Sequence, residues 1–128
     1  MTLPRKILVL DDYFCMGDFI ASAAEAVGLS CFSTTEPEIF LEYLTSDVTL
    51  ILLDLVMPTT DGISMLRTLG RMRCKVGIVL MSGAGEQAID LAEDTASALN
   101  LCVAGHLKKP FRLKELEAIL QKSKQGEL

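Results

Sequence analysis

The chain has 128 residues, four cysteines and a formal net charge of −5. This length predicts a single domain, large enough to bury a core without disulfide or metal cross-links. Nucleic-acid binding needs clustered Lys and Arg, and the 12 here are scattered, so we expect no direct nucleic-acid partner. No stretch approaches the ~20 apolar residues of a membrane span, and the N-terminus does not read as a signal peptide. The composition therefore predicts a soluble, cytoplasmic protein with no membrane partner.

The cysteines fall at wide and irregular intervals. No C-x-x-C pair occurs among Cys15, Cys31, Cys74 and Cys102, so the spacing fits neither a zinc site nor a disulfide framework. We interpret all four as buried thiols in a reducing compartment.

Apolar runs and helical periodicities alternate along the first half of the chain. Residues 50–53 form a continuous apolar run, which favours a strand covered on both faces of a sheet. Asp54 follows that run, and Pro58 is expected to end the strand. The preceding elements, in chain order, are a strand at 6–10, a helix at 14–27, a strand at 29–33 and a helix that carries Pro37 in its first turn.

The same alternation continues in the second half. Apolar residues at helical spacing predict three more helices, and two short apolar runs predict strands between them. In order, these are a helix at 63–73, a strand at 76–81, a long helix with Ile89, Ala92, Ala96 and Leu99 on one face, a strand at 101–107, and a helix with Leu113, Leu116 and Leu120.

Five strands alternating with five helices predict a three-layer α/β/α domain. Right-handed crossovers give a parallel sheet with helices on both faces. For the strand order we adopt 2-1-3-4-5, the order of flavodoxin-like folds. We assign residues 1–124 to this domain and residues 125–128 to a polar tail that begins a linker.

Polar side chains stand where four of the predicted strands end. Because the carboxyl ends of parallel strands meet at one edge of the sheet, we expect these side chains to lie close together. Carboxylates in such a cluster repel one another unless a cation neutralises them, and Mg²⁺ suits oxygen ligands better than zinc does. A lysine and a hydroxyl opposite them would complete a pocket for a phosphoryl group. The residues are Asp11 and Asp12 after strand one, Asp54 after strand three, Ser82 after strand four and Lys109 just past strand five.

These motifs together have the arrangement of a known family. They are Asp11-Asp12, LLDLVMP with Asp54, Asp61-Gly62, Ser82, and Lys109-Pro110-Phe111. The sequence resembles a response-regulator receiver domain along essentially its whole length.

The resemblance implies a phosphorylation-dependent switch of a two-component system. Asp54 would accept a phosphoryl group from a histidine kinase or phosphotransfer protein. The resemblance also implies that Asp12, Asp54 and the backbone carbonyl of Val56 hold Mg²⁺, with Asp11 helping through water. On this interpretation the chain is not an enzyme acting on a separate substrate, because it catalyses only its own phosphorylation and dephosphorylation.

Further implications concern the switch and its output. Lys109 would contact the phosphoryl oxygens, and Ser82 would move its hydroxyl onto them after transfer. The peptide bond between Lys109 and Pro110 is expected to be cis. The surface formed by helix four, strand five and helix five would relay the state to an output domain or to a second copy of the chain.

Two features depart from the family pattern. His106 occupies the position of the family's rotating aromatic residue, so the switch there could be weaker or sensitive to pH, or the histidine could have no switching role. Lys109 follows Ser82 by 27 positions, roughly one and a half helical turns more than in a compact receiver. With the GHLKKPF segment, this lengthening is similar to receivers attached to cyclic-di-GMP phosphodiesterase (EAL) domains.

One enzyme alternative uses similar chemistry. Phosphohydrolases of the haloacid-dehalogenase type also form an aspartyl phosphate beside Mg²⁺, but that family carries a D-x-D motif after the first strand. Here Tyr13 stands at the third position of that motif, so the general acid is missing.

Overall fold

The structure is a computed structural model that describes residues 6–57, 61–83 and 85–126. Pro58, predicted to end the third strand, and the last two residues of the predicted tail lie outside the described residues. Five strands alternate with five helices. They are β1 (Lys6–Leu10), α1 (Phe14–Ala26), β2 (Ser30–Thr34), α2 (Pro37–Glu42), β3 (Val48–Asp54), α3 (Gly62–Arg71), β4 (Gly77–Ser82), α4 (Glu86–Ala98), β5 (Val103–Lys108) and α5 (Leu113–Lys124).

The five strands form one parallel sheet in the order β2-β1-β3-β4-β5. The predicted architecture and strand order are therefore confirmed. In β3, Ile51 and Leu53 pack into the core on the face covered by α3 and α4, and Leu50 and Leu52 pack into the core on the face covered by α1 and α5. Both faces of the strand are buried, which explains why its sequence shows no polar alternation.

The start of β5 differs from the prediction. The apolar run at 101–107 suggested a strand from Leu101, but β5 begins at Val103. Asn100 takes a left-handed conformation (φ 60°), and the N–H of Leu101 donates to the carbonyl of Ala96 at 2.9 Å. Leu101 therefore belongs to the hydrogen-bonded end of α4, where its side chain is buried against the core.

The prediction of four buried thiols was wrong. Only Cys74 is buried, Cys31 is half-buried, and Cys15 and Cys102 are exposed. All four are free thiols. Within the described ranges, no helix is long and apolar enough to cross a membrane.

The start of α3 lies close to Leu55, the residue that follows β3. Asp61 caps α3 by accepting a hydrogen bond from the N–H of Ser64 at 2.6 Å. The N–H of Gly62 donates to the carbonyl of Leu55 at 3.0 Å. A Cβ at position 62 would lie 2.7 Å from the Leu55 Cα, so only glycine allows this approach. The Asp61-Gly62 pair thus joins the start of α3 to Leu55, the residue after Asp54.

Candidate functional site

Three carboxylates lie together at the carboxyl edge of the sheet. Asp11 and Asp12 follow β1, and Asp54 is the last residue of β3. An oxygen from each lies within 4.8 Å of an oxygen from each of the others. Asp11 and Asp54 are buried, whereas Asp12 is exposed. The cluster is therefore open to solvent on the side of Asp12 and closed behind Asp54.

Lys109 places a cation against the two buried carboxylates. Its Nζ lies 2.7 Å from Asp11 Oδ2 and 3.4 Å from Asp54 Oδ2. Burial lowers the pKa of Lys109, but the hydrogen bond and charge of Asp11, together with the charge of Asp54, outweigh burial and raise it overall. Lys109 is therefore a permanent cation whose nearest partner is Asp11 rather than Asp54.

Asp54 has one oxygen engaged and one without a hydrogen bond. Its Oδ1 accepts from the N–H of Val56 at 3.2 Å. Its Oδ2 is buried and has no hydrogen-bond partner within the described part of the chain. Burial, then the charge of Asp11 and a hydrogen bond with Asp12, raise the pKa of Asp54 to about 6. A buried oxygen without a hydrogen bond is costly, and positive charge beside it, from Lys109 or from a bound cation, compensates it.

A cavity of about 300 Å³ lies beside the Asp54 carboxylate. Its lining residues come from the ends of β1, β3, β4 and β5, as expected for a parallel sheet of this type. They are Asp12, Asp54, Val56, Gly83 and Lys109. The cavity is therefore large enough for a phosphoryl group and bounded by carboxylates on one side and an ammonium on another.

Ser82 is buried at the end of β4, one residue before the cavity lining. Its carbonyl accepts a hydrogen bond from the N–H of Lys109 at 2.8 Å, which joins the ends of β4 and β5. The structure thus brings Asp11, Asp12, Asp54 and Lys109 into contact and places Ser82 at the same edge.

The donor set fits Mg²⁺. Its atoms are carboxylate oxygens, which a hard divalent cation prefers. The grouping of the three carboxylates within 4.8 Å offers such an ion one oxygen from each of Asp11, Asp12 and Asp54. The family resemblance adds the Val56 carbonyl; the structure shows the Val56 N–H donating to Asp54.

His106 lies outside this cluster. It is exposed on β5, and its Nδ1 lies 3.8 Å from Glu93 Oε1 on α4. The peptide bond between Lys109 and Pro110 is cis, as the resemblance led us to expect.

Sequence reasoning missed three features of the site region. It did not anticipate that Asp11 would hold Lys109 or that Gly83 would line the cavity. It also missed the ion pair of Lys108 with Glu86, whose Nζ and Oε1 are 2.6 Å apart. The first and third are pairings between residues more than 20 positions apart, for which one sequence carries no signal.

The fold and the cluster define a receiver-type α/β domain. The profile of the response regulator receiver domain family matches residues 7–121. The chain therefore belongs to that family and is the receiver domain of a two-component response regulator, whose general function is a phosphorylation switch.

Known relatives agree with this assignment. The chain is 32% identical over 117 residues to the KDP operon transcriptional regulatory protein KdpE of Escherichia coli, covering 91% of this chain and 49% of KdpE. It is 24% identical over 110 residues to the response regulator SaeR of Staphylococcus aureus, covering 86% of this chain and 46% of SaeR. The chain thus spans about half the length of the curated relatives it matches.

Among solved structures, a response regulator from Colwellia psychrerythraea superposes with a TM-score of 0.82. The two share 27% identity, and the match covers 97% of this chain and 99% of that one. The similarity extends over the whole domain.

Proposed function

We propose that Asp54 is the phosphoacceptor of this receiver and takes its phosphoryl group from a phosphohistidine of a histidine kinase or phosphotransfer protein. The observation that carries this proposal is the buried carboxylate of Asp54, which lines a 300 Å³ cavity and has an oxygen without a hydrogen bond, Oδ2, 3.4 Å from the Lys109 ammonium.

In the transfer, a carboxylate oxygen of Asp54 attacks phosphorus. The P–O bond forms as the P–N bond to the donor imidazole breaks, and the imidazole nitrogen keeps the electron pair and takes up a proton. Lys109 lies beside the accepting oxygen, so its charge stabilises the negative charge that accumulates on the phosphoryl oxygens. Asp11 orients Lys109 through the 2.7 Å contact.

Mg²⁺ is the cofactor we propose. Asp11, Asp12 and Asp54 would hold it, with the Val56 carbonyl as a further ligand. When bound, the ion would supply positive charge that lets an anionic phosphoryl group approach three carboxylates.

Labelling with acetyl phosphate and Mg²⁺ tests the acceptor. We expect one phosphate per chain by intact mass, and no phosphate on Asp54→Asn. Asp18→Asn is the matched control, because Asp18 is an exposed acid on α1 away from the cavity lining. Equal labelling of wild type and Asp54→Asn would show that another residue accepts the group.

The metal is tested separately with Asp12→Ala and with a chelator. Asp12 is exposed, so its loss should leave the fold intact while labelling falls to background. Normal labelling of Asp12→Ala in chelator would refute the metal role. Steady turnover of p-nitrophenyl phosphate, instead of a single labelling event, would favour a phosphohydrolase.

For the output we propose the face formed by α4, β5 and α5. The two helices carry exposed leucines, Leu91 on α4 and Leu113 on α5. The partner is an output domain or a second copy of the chain. The lengthened segment between Ser82 and Lys109 and the GHLKKPF motif support a cyclic-di-GMP phosphodiesterase domain as that output. Ser82 would capture the phosphoryl group and so pull on the loop before α4.

Amide hydrogen exchange with and without beryllofluoride, which mimics the phosphoryl group, locates the output face. We expect protection changes between Gly83 and Leu107. Their absence with Asp54 saturated would mean that the signal leaves through another surface.

A further inference from the structure

Helix α4 buries one large side chain and two small ones. Its buried residues are Ile89, Ala92 and Ala96. The neighbouring α3 instead buries Met65, Leu66 and Leu69. Since hydrophobic stabilisation grows with the apolar area removed from water, α4 gains less from burial than α3 does. Polar contacts therefore carry more weight in fixing its position.

The residue that precedes α4 can also change its backbone conformation easily. Its N-cap is Gly85, which has a φ of 95° and no side-chain capping hydrogen bond. This left-handed conformation is one that glycine adopts without strain. The helix therefore begins at a residue that can change conformation at low cost.

A groove of about 330 Å³ separates α4 from β5, and the apolar residue Ile89 is among its lining residues. A lysine–glutamate ion pair and a histidine–glutamate contact cross it. Lys108 Nζ lies 2.6 Å from Glu86 Oε1, and His106 Nδ1 lies 3.8 Å from Glu93 Oε1. We call this feature the α4–β5 groove, lined by Glu86, Ile89, Asp90, Glu93, His106 and Lys108.

The sequence spacing explains why both contacts fall in one groove. Glu86 and Glu93 are seven residues apart, which places them on the same side of a helix. His106 and Lys108 are two residues apart and share one face of the strand. The two contacts differ in one respect: lysine is charged throughout the physiological pH range, whereas imidazole ordinarily changes charge between about pH 5 and 8.

The groove is coupled directly to the phosphorylation site. Lys108 is the register partner of Ser82 in the β4–β5 pair. The next residue, Lys109, donates its N–H to the Ser82 carbonyl and places its ammonium beside Asp54. Glu86 is the first residue of α4, directly after Gly85. The Lys108–Glu86 contact therefore spans the loop that must move if Ser82 and Gly83 rearrange around a phosphoryl group.

We propose that the α4–β5 groove is an electrostatic latch that holds α4 in its unphosphorylated position. Lys108–Glu86 is its permanent contact, and His106–Glu93 is a contact made only when His106 is protonated. The groups facing His106 are Glu86, Asp90 and Glu93 from α4 and Lys108 from β5. The inference rests on the proposed function, because it concerns how the receiver responds once Asp54 is occupied.

Releasing the latch should favour the activated state. A ligand that binds the activated state better binds more tightly when the competing state is destabilised. Glu86→Gln and Lys108→Gln should each tighten beryllofluoride binding about two- to fivefold, the range expected for one solvent-exposed ion pair. The gain should shrink at high ionic strength.

Calorimetric titration of beryllofluoride in Mg²⁺ measures this effect. The double variant Glu86→Lys with Lys108→Glu reverses the pair and should restore the wild-type affinity. Lys122→Gln, an exposed lysine on α5, is the control and should bind like wild type. Unchanged or weaker binding by the single variants, or no restoration by the reversed pair, would overturn the latch. Failure of wild type to bind beryllofluoride would instead refute the proposed function.

The second contact is tested by pH. Lowering the pH from about 8 to about 6 should weaken beryllofluoride binding more in wild type than in His106→Gln, because only wild type gains the imidazolium contact. The comparison cancels titration of the acidic cluster, which the two proteins share. Equal pH dependence in the two proteins would remove His106 from the latch and leave only the Lys108–Glu86 contact.

Discussion

Lys108 and Lys109 are adjacent in sequence, and their ion pairs are almost equally short. Lys109 Nζ lies 2.7 Å from Asp11, and Lys108 Nζ lies 2.6 Å from Glu86. Their surroundings differ sharply, because the first pair has side-chain exposures of 21% and 1% and the second has 51% and 77%. Distance alone therefore says little about what an ion pair does; access to water decides how strongly the charges act.

The difference suits two separate roles. A half-buried lysine beside two buried carboxylates cannot leave without leaving their charge uncompensated, so the site keeps its shape before any ligand arrives. An exposed pair contributes little and is easily exchanged for contacts with water. A ligand of modest affinity can therefore break such an exposed ion pair.

The largest expected effect comes from removing the half-buried cation. Lys109→Gln leaves Asp11 and Asp54 next to each other without a positive charge, and should lower the free energy of unfolding by about 3 kcal/mol at neutral pH. Urea unfolding measures this loss. The loss should become much smaller near pH 4, because Asp54, whose pKa is raised to about 6, is then protonated. An equal loss at both pH values would show that packing, not charge, is responsible.

Asp54→Asn should instead raise the free energy of unfolding. Burial, the charge of Asp11 and the hydrogen bond with Asp12 hold the pKa of Asp54 at about 6, above its ordinary value of 3.8. Asp54 binds its proton more tightly in the folded chain than in the unfolded chain. This difference stabilises the fold fully below pH 3.8, and the stabilisation is lost as pH rises through 6. At pH 7 without metal, Asp54→Asn should be about 2 kcal/mol more stable than wild type.

The pH series of the same variant tests the cause of that gain. The difference between Asp54→Asn and wild type should vanish near pH 4 and grow between pH 4 and 6. Asp18→Asn serves as the exposed control and should show no such growth. A gain that persists unchanged at pH 4 would contradict the electrostatic explanation.

Mg²⁺ should have a smaller effect, set by its concentration. At tenfold above its dissociation constant, a ligand bound only by the folded state stabilises that state by about 1.4 kcal/mol. Wild type should therefore melt at a higher temperature in Mg²⁺, and Asp12→Ala should not. Equal shifts in both proteins would indicate binding elsewhere.

The smallest expected effect is that of Lys108→Gln. Its pair is exposed, so the midpoint of urea unfolding should fall by a small fraction of the fall seen for Lys109→Gln, and the difference should disappear in high salt. A loss comparable to that of Lys109→Gln would show that the two pairs are equivalent after all.

Several residues of the site could be predicted from the sequence because the ends of the strands can be recognised there. Asp54 follows a continuous apolar run, and Asp11-Asp12 follows another, so a parallel sheet necessarily brings them to one edge. The cysteines show where such reasoning fails. A free thiol suits the core and the surface alike, and periodicity did not show that Cys15 and Cys102 lie on exposed positions.

The sequence by itself determined the order of elements, the strand-end carboxylates and the family, because each is encoded by short-range patterns of apolar, turn and charged residues. The tertiary structure alone decided that Lys109 pairs with Asp11 at 2.7 Å and that one oxygen of Asp54 has no hydrogen-bond partner in the described part of the chain. It also decided that Lys108 meets Glu86 across a groove. The physical reason is that side-chain pairing and desolvation depend on how separate elements pack. The amino-acid sequence read alone does not specify the distances between side chains on different elements.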